Sequence, residues 1–176
     1  MPEKLIRDIP LIQRYSRHNE GEDFAFRAFL KGRLTLSDEE LDAVAQETTD
    51  EVWKQIDCLK CANCCRTLQI VVDNKDIQRL AQRLKMTSQQ FAKQYVETDQ
   101  YQTQYLKSTP CSFLGEDNRC SVYEDRPQAC RDFPYLHAEG FRQRTLMMID
   151  NTAVCPIVFN VWQQLKERLK FRRRRR

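Results

Sequence analysis

Glycine is scarce in this 176-residue chain, with four residues, and proline is little commoner, with six. So few of either, beside 31% charged residues, exclude a disordered or low-complexity polypeptide. The chain reads as folded, and its length suits one small domain with a real core. Long apolar runs are missing too. The opening stretch MPEKLIRDIPLIQRYSRHNEGED breaks every short hydrophobic piece with charge, so neither a signal-peptide core nor a membrane span of about 20 residues can be drawn. The cytoplasm is therefore the expected compartment. No internal repeat is visible, and no glycine-rich loop follows a strand in the manner of methyl-donor sites. Nor is there a general excess of positive charge. Six positive charges sit in the terminal KFRRRRR, so the rest of the chain stands at −2 against a net +4. A broad basic face for nucleic acid is not indicated.

Cysteine is what the chain has in quantity: eight residues, four of them in CLKCANCCRT at positions 58–67. In a reducing compartment clustered thiols are read first as metal ligands and only second as disulfides or buried structural groups. Spacing agrees. Two residues between cysteines let the backbone fold so that both sulfurs reach one ion, and Cys58, Cys61 and Cys64 make two such steps in succession. Cys65 follows directly, and adjacent side chains usually diverge. It is expected to serve a second metal atom, to bridge, or to face the core. The other thiols are Cys111, Cys120, Cys130 and Cys155, and the fold must gather them. Eight sulfurs satisfy two four-sulfur zinc sites, or one 4Fe-4S cluster with four left over. A ferredoxin run needs three residues and then Cys-Pro after the third cysteine, which this chain lacks. A zinc ribbon needs a second CxxC knuckle, where this chain has wider spacings.

The pattern of the remaining residues is mostly α-helical, giving a small α+β architecture in which helices frame the cysteines and short strands or hairpins place the later ones. DFAFRAFL predicts a helix with Phe24, Ala28 and Phe29 on a common face. Ser37 is placed as an N-cap with Glu40 as its capping-box partner, and Leu41, Val44, Ala45, Val52 and Ile56 carry a helix nearly to Cys58. TLQIVV reads as a short strand, and residues 73–97 as two helices broken near KMTS, the second capped by Thr87 or Ser88. Two helices so joined raise the possibility of a helix-turn-helix DNA reader, but no third helix with a basic face follows. Gly115, Asp117 and Asn118 mark a turn that brings Cys111 and Cys120 together. GFRQRTLMMID reads as a strand. CPIVFNVWQQLKERLKF is a closing helix, with Cys155 at the N-cap and Pro156 at its first position. A thiol placed there has its thiolate favoured by the helix dipole and is read as ligand, nucleophile or buried structural group.

CLKCANCC, then PCSFLGEDNRCSVYEDRPQACRDFP, then CP together resemble the YkgJ-type cysteine-cluster family, which is named for its CxxCxxCC motif and described as zinc- or iron-chelating. The resemblance covers about residues 55–160. It implies that Cys58, Cys61, Cys64, Cys65, Cys111, Cys120, Cys130 and Cys155 form the metal-binding set, with zinc or iron, or a 4Fe-4S cluster, as the cofactor. A related cysteine-rich domain in flagellin lysine N-methylases raises a protein-modifying enzyme as an alternative.

The chain divides, on this reading, into an N-terminal helical segment (1–50), a cysteine-cluster domain (51–165) and a basic tail (166–176). Metal binding is expected to contribute to folding, since ligands spread over so much chain are joined only through it. Arg126 and Arg131, beside Asp125 and Asp132, suit either salt-bridged turns or counter-charges to a net-negative metal–thiolate centre. His137 is polar surface or an extra ligand, and His18 has no evident partner. Trp53, Trp162, Phe159 and Tyr135 are expected in the core. The arginine run is either a solvated tail or a salt-sensitive contact with RNA, ribosomes or acidic lipid. Protein partners or substrates are compatible with all of these readings.

Overall fold

A computed structural model of the chain describes residues 5–172. Its elements in chain order are α1 (Ile9–Gly32), α2 (Asp38–Trp53), α3 (Cys58–Cys61), α4 (Asn63–Thr67), α5 (Asn74–Arg83), α6 (Ser88–Tyr95), β1 (Val96–Thr98), β2 (Gln104–Leu106), a 3-10 turn (Tyr123–Asp125), α7 (Gln128–Asp132), α8 (Thr145–Thr152) and α9 (Pro156–Arg168). The class is mostly α-helical α+β, as the sequence indicates. These elements gather into two compact units, Met1–Asp57 with Pro134–Arg176, and Cys58–Phe133. Of the arginine run, residues 173–176 lie outside the described part.

The first unit consists of α1, α2, α8 and α9. Asp8 caps α1 by accepting from the Leu11 N–H, so the helix begins well before DFAFRAFL. Its buried face is Ile12, Asp23, Phe26 and Leu30, whereas Phe24 is 43% exposed. The face expected from Phe24 and Ala28 is thus displaced. Periodicity misses it because a carboxylate belongs to the inner side: Asp23 accepts from the Trp162 indole at 2.9 Å and pairs with buried Lys166 at 2.6 Å. Burial of those charges is tolerated because each is partnered. Around them Phe26 meets Trp162 edge-on at 4.9 Å and Phe171 at 5.2 Å. The Ser37–Glu40 capping box forms as expected and starts α2. GFRQRTLMMID is not a strand. Leu and Met favour helix, and Met148 and Ile149 turn inward on α8 while the Thr145 and Thr152 hydroxyls bond nearby carbonyls.

The second unit is built on α5 and α6. Asp73 with Asp76 and Thr87 with Gln90 form reciprocal capping boxes, which set where each helix starts and break the pair at KMTS. Ile77, Leu80, Ala81 and Phe91 then face a core completed by Val72, Val96, Leu106, Phe113 and Val122. β1 and β2 pair antiparallel, with Val96 opposite Leu106 and Thr98 opposite Gln104. Their turn is held by Asp99, whose carboxylate accepts from the Tyr101 and Thr103 N–H groups. The strand expected at TLQIVV reduces to a single bridge, Val71 with Tyr105, alongside β2.

Candidate metal centre

α3 and α4 are one turn each, and the chain between them turns sharply at Ala62, whose φ of 49° is left-handed. That turn separates Cys58 and Cys61 on α3 from Cys64 and Cys65 on α4. The two adjacent cysteines do not diverge: their sulfurs stand 3.9 Å apart. A tetrahedral ion bonded to sulfur at about 2.3 Å holds its sulfurs about 3.8 Å apart, so this pair is already spaced as two ligands of one ion.

The later cysteines are brought in by backbone geometry. The Cys111 N–H donates to the Cys65 carbonyl at 2.8 Å, fixing the second segment on α4. From there the chain turns at Gly115, where a Cβ would lie 2.8 Å from the Asp117 carboxylate, and returns through the Leu114–Cys120 bridge. The expected Cys111–Cys120 turn is therefore present. Asn118 ties it to the first cluster by accepting from the Arg66 guanidinium and donating to the Lys60 carbonyl. Cys130 arrives on α7, whose start is pinned by the buried Asp76 carboxylate accepting from the Gln128 N–H at 3.1 Å. Arg79 donates to the Asp125 and Arg126 carbonyls at 3.1 and 2.9 Å. Sequence reasoning missed both residues, because an acid and an arginine in the first turns of a helix read as capping and solvated charge.

The result is a cavity of about 70 Å³ lined by Cys58, Cys64, Cys65, Cys111, Cys120 and Cys130. Ile70, Leu106, Phe113 and Val122 make its apolar wall, and Arg126 is the charged residue that lines it. Cys61 is half-buried on α3 and does not line the cavity. Cys155 belongs to the first unit, buried at the start of α9, where its N–H donates to the Asn151 carbonyl at 2.9 Å. His137 pairs with Asp50 at 2.9 Å, and its ring lies 5.6 Å from that of Trp53, also in the first unit. Arg131 is a backbone staple, donating to the Glu124 and Arg126 carbonyls.

The thiols feel one another. Burial raises Cys111 and Cys120 above the ordinary thiol value, and the negative charge of Cys65 adds to it. Cys130 is pushed up to about 12, first by burial and then by Cys65, Cys111 and Cys120. Cys65 moves the other way, to about 7, through the hydrogen bond from Cys64 and the nearby Arg66 charge, against its own burial. Four thiols from three segments therefore share one electrostatic environment.

As the side chains lie, no three His, Cys, Asp or Glu groups among the described residues enclose an ion. The donor set nonetheless fits one. Six sulfurs and no carboxylate or imidazole line the cavity, a chemistry suited to zinc or iron rather than to magnesium or calcium.

The CxxCxxCC family model, described as a putative zinc- or iron-chelating domain, matches residues 57–156, a span that contains all eight cysteines. No solved structure matches the chain.

Proposed function

We propose, for a chain that belongs to the CxxCxxCC family, that its Cys58–Phe133 unit chelates a single zinc or iron ion through four thiolates drawn from Cys64, Cys65, Cys111, Cys120 and Cys130. The observation that carries this reading is the 3.9 Å separation of the Cys64 and Cys65 sulfurs, one edge of a mononuclear tetrahedral site. In a 4Fe-4S cluster each cysteine serves a different iron, so neighbouring sulfurs so close together favour one ion over a cluster. Bound there, the ion supplies a crosslink between α4, the 111–120 turn and α7. Cys58, exposed at the cavity's edge, and Cys61 are peripheral to this set. The thiols of Cys65, Cys111, Cys120 and Cys130 are unbridged, which suits a reducing compartment such as the cytoplasm.

Metal analysis by mass spectrometry with a visible spectrum, on protein purified without oxygen, tests the reading. One zinc or one sulfide-free iron per chain is expected, lost in the double variant C64S/C65S and retained in C155S. Four irons with labile sulfide, or a metal content indifferent to Cys64 and Cys65, would overturn it.

A further inference from the structure

A divalent ion held by four thiolates carries a net charge of −2, and an apolar wall does not solvate that charge. Something must oppose it. Among the residues lining the cavity, Arg126 alone bears a positive charge. Its guanidinium lies over the Tyr123 ring at 3.9 Å and donates to the Tyr123 carbonyl at 2.7 Å. Its backbone is held as firmly, since Arg79 and Arg131 both donate to the Arg126 carbonyl, at 2.9 and 3.2 Å. Of the other arginines of this unit, Arg66, whose charge also reaches Cys65, donates to the Cys61 carbonyl and to Asn118 and does not line the cavity; Arg131 donates to carbonyls, and Arg119 and Arg83 pair with Asp117 and Asp125. A long side chain normally loses rotamer freedom when it is fixed against a charge. Here the aromatic platform and the carbonyl have fixed it in advance.

We propose that Arg126 is the positioning counter-charge of the metal centre, holding a fixed positive charge against the thiolates so that the cavity retains a fully thiolate-bound divalent ion. This rests on the chelation reading and deepens it. Tyr123 acts with Arg126 as the platform that sets where the charge sits. A residue of this kind touches no metal, and groups outside the ligand set typically govern affinity by about ten- to a hundredfold.

The test is zinc affinity, measured by competition with a chromophoric chelator, for the wild-type chain and for R126Q, R126K and R119Q. Circular dichroism of each metal-free protein serves as a check on folding. R126Q is expected to bind about ten- to a hundredfold more weakly. R126K restores the charge without the stacked plane, so it should recover most of that loss. R119Q removes the same charge from an exposed site outside the cavity and should leave affinity unchanged. Wild-type affinity in R126Q overturns the proposal, as does a loss in R119Q equal to that in R126Q, or an R126K no better than R126Q. A wild-type chain that takes up neither zinc nor iron overturns the chelation reading itself, and this inference with it.

Discussion

Zinc binding to the thiol cavity should expel protons in a number that the cavity's own electrostatics dictates. At pH 7 a thiol held at about 12 is deprotonated in only about one molecule in 10⁵, so Cys130 as a ligand gives up a whole proton. Cys111 and Cys120 are raised as well and each gives up one, whereas Cys65, at about 7, gives up about half. Any four of the five candidate sulfurs include at least two of the three raised thiols. With Cys65 and two of the raised thiols among the ligands, the expected release is therefore at least about 2.5 protons per ion at pH 7, and apparent affinity should fall by at least roughly three-hundredfold between pH 7 and pH 6. Titration calorimetry in two buffers of different ionisation enthalpy measures the release directly, and chelator competition across pH gives the slope independently. Release of fewer than two protons would refute the reasoning, since it would mean that at most one of the half-buried thiols Cys111, Cys120 and Cys130 is a ligand.

Two further outcomes follow from the same residues. In the metal-free protein Cys111, Cys120 and Cys130 hold their protons more tightly folded than unfolded, so their contribution is present below about pH 9 and is lost as pH rises through their folded values; Cys65, lowered, contributes above about pH 9 and loses its share as pH falls through about 7. Urea midpoints of the apo chain should accordingly fall as pH is raised beyond 9, and C130S should flatten that fall; a midpoint indifferent to alkaline pH would contradict the assignment. Phe91 is fully buried and stacks at 6.2 Å on Phe113, two residues after Cys111. Phe91→Ala should cost the second unit about 3–5 kcal/mol, read from urea unfolding, and should weaken zinc binding because the segment bearing Cys111 loses its support.

The cysteine pattern announces the chemistry because ligand spacing is local: two residues between sulfurs are legible whatever the fold. The capping boxes at Ser37 and Thr87 are legible for the same reason, each being closed within four residues. What the sequence hides is long-range. The inward turn of Asp23 depends on Lys166 and Trp162, more than a hundred residues away. Asp76 gains its part in the site from Gln128 at the start of α7, and Arg79 from the Asp125 and Arg126 carbonyls just before it, about fifty residues on. The facing of Cys64 and Cys65 depends on Ala62 adopting a left-handed backbone, a conformation that alanine gives no hint of. The strand reading of GFRQRTLMMID, a turn followed by the start of α8, fails because a short run of mixed polarity has no period strong enough to decide.

Whether the ion builds the second unit or only tightens it depends on what else joins its cysteine-bearing segments. The spacing of the ligands along the chain suggests that nothing does. The structure supplies other joints: the Cys111 N–H on the Cys65 carbonyl, Asn118 on Arg66, Gln128 on Asp76, and Phe113 and Val122 in the same core as Phe91. α5 and α6 rest on that core with both ends of their capping boxes closed, so they do not need the metal. α3, α4 and α7 have four or five residues each, too few to be helical in isolation. Removal of the ion by a chelator should therefore leave most of the far-ultraviolet helical signal in place while hydrogen-exchange protection is lost selectively at residues 58–67 and 128–132. A single cooperative collapse of all helical signal on metal removal, as in proteins that are folded only when metal-loaded, would show instead that the ion is the centre of the fold.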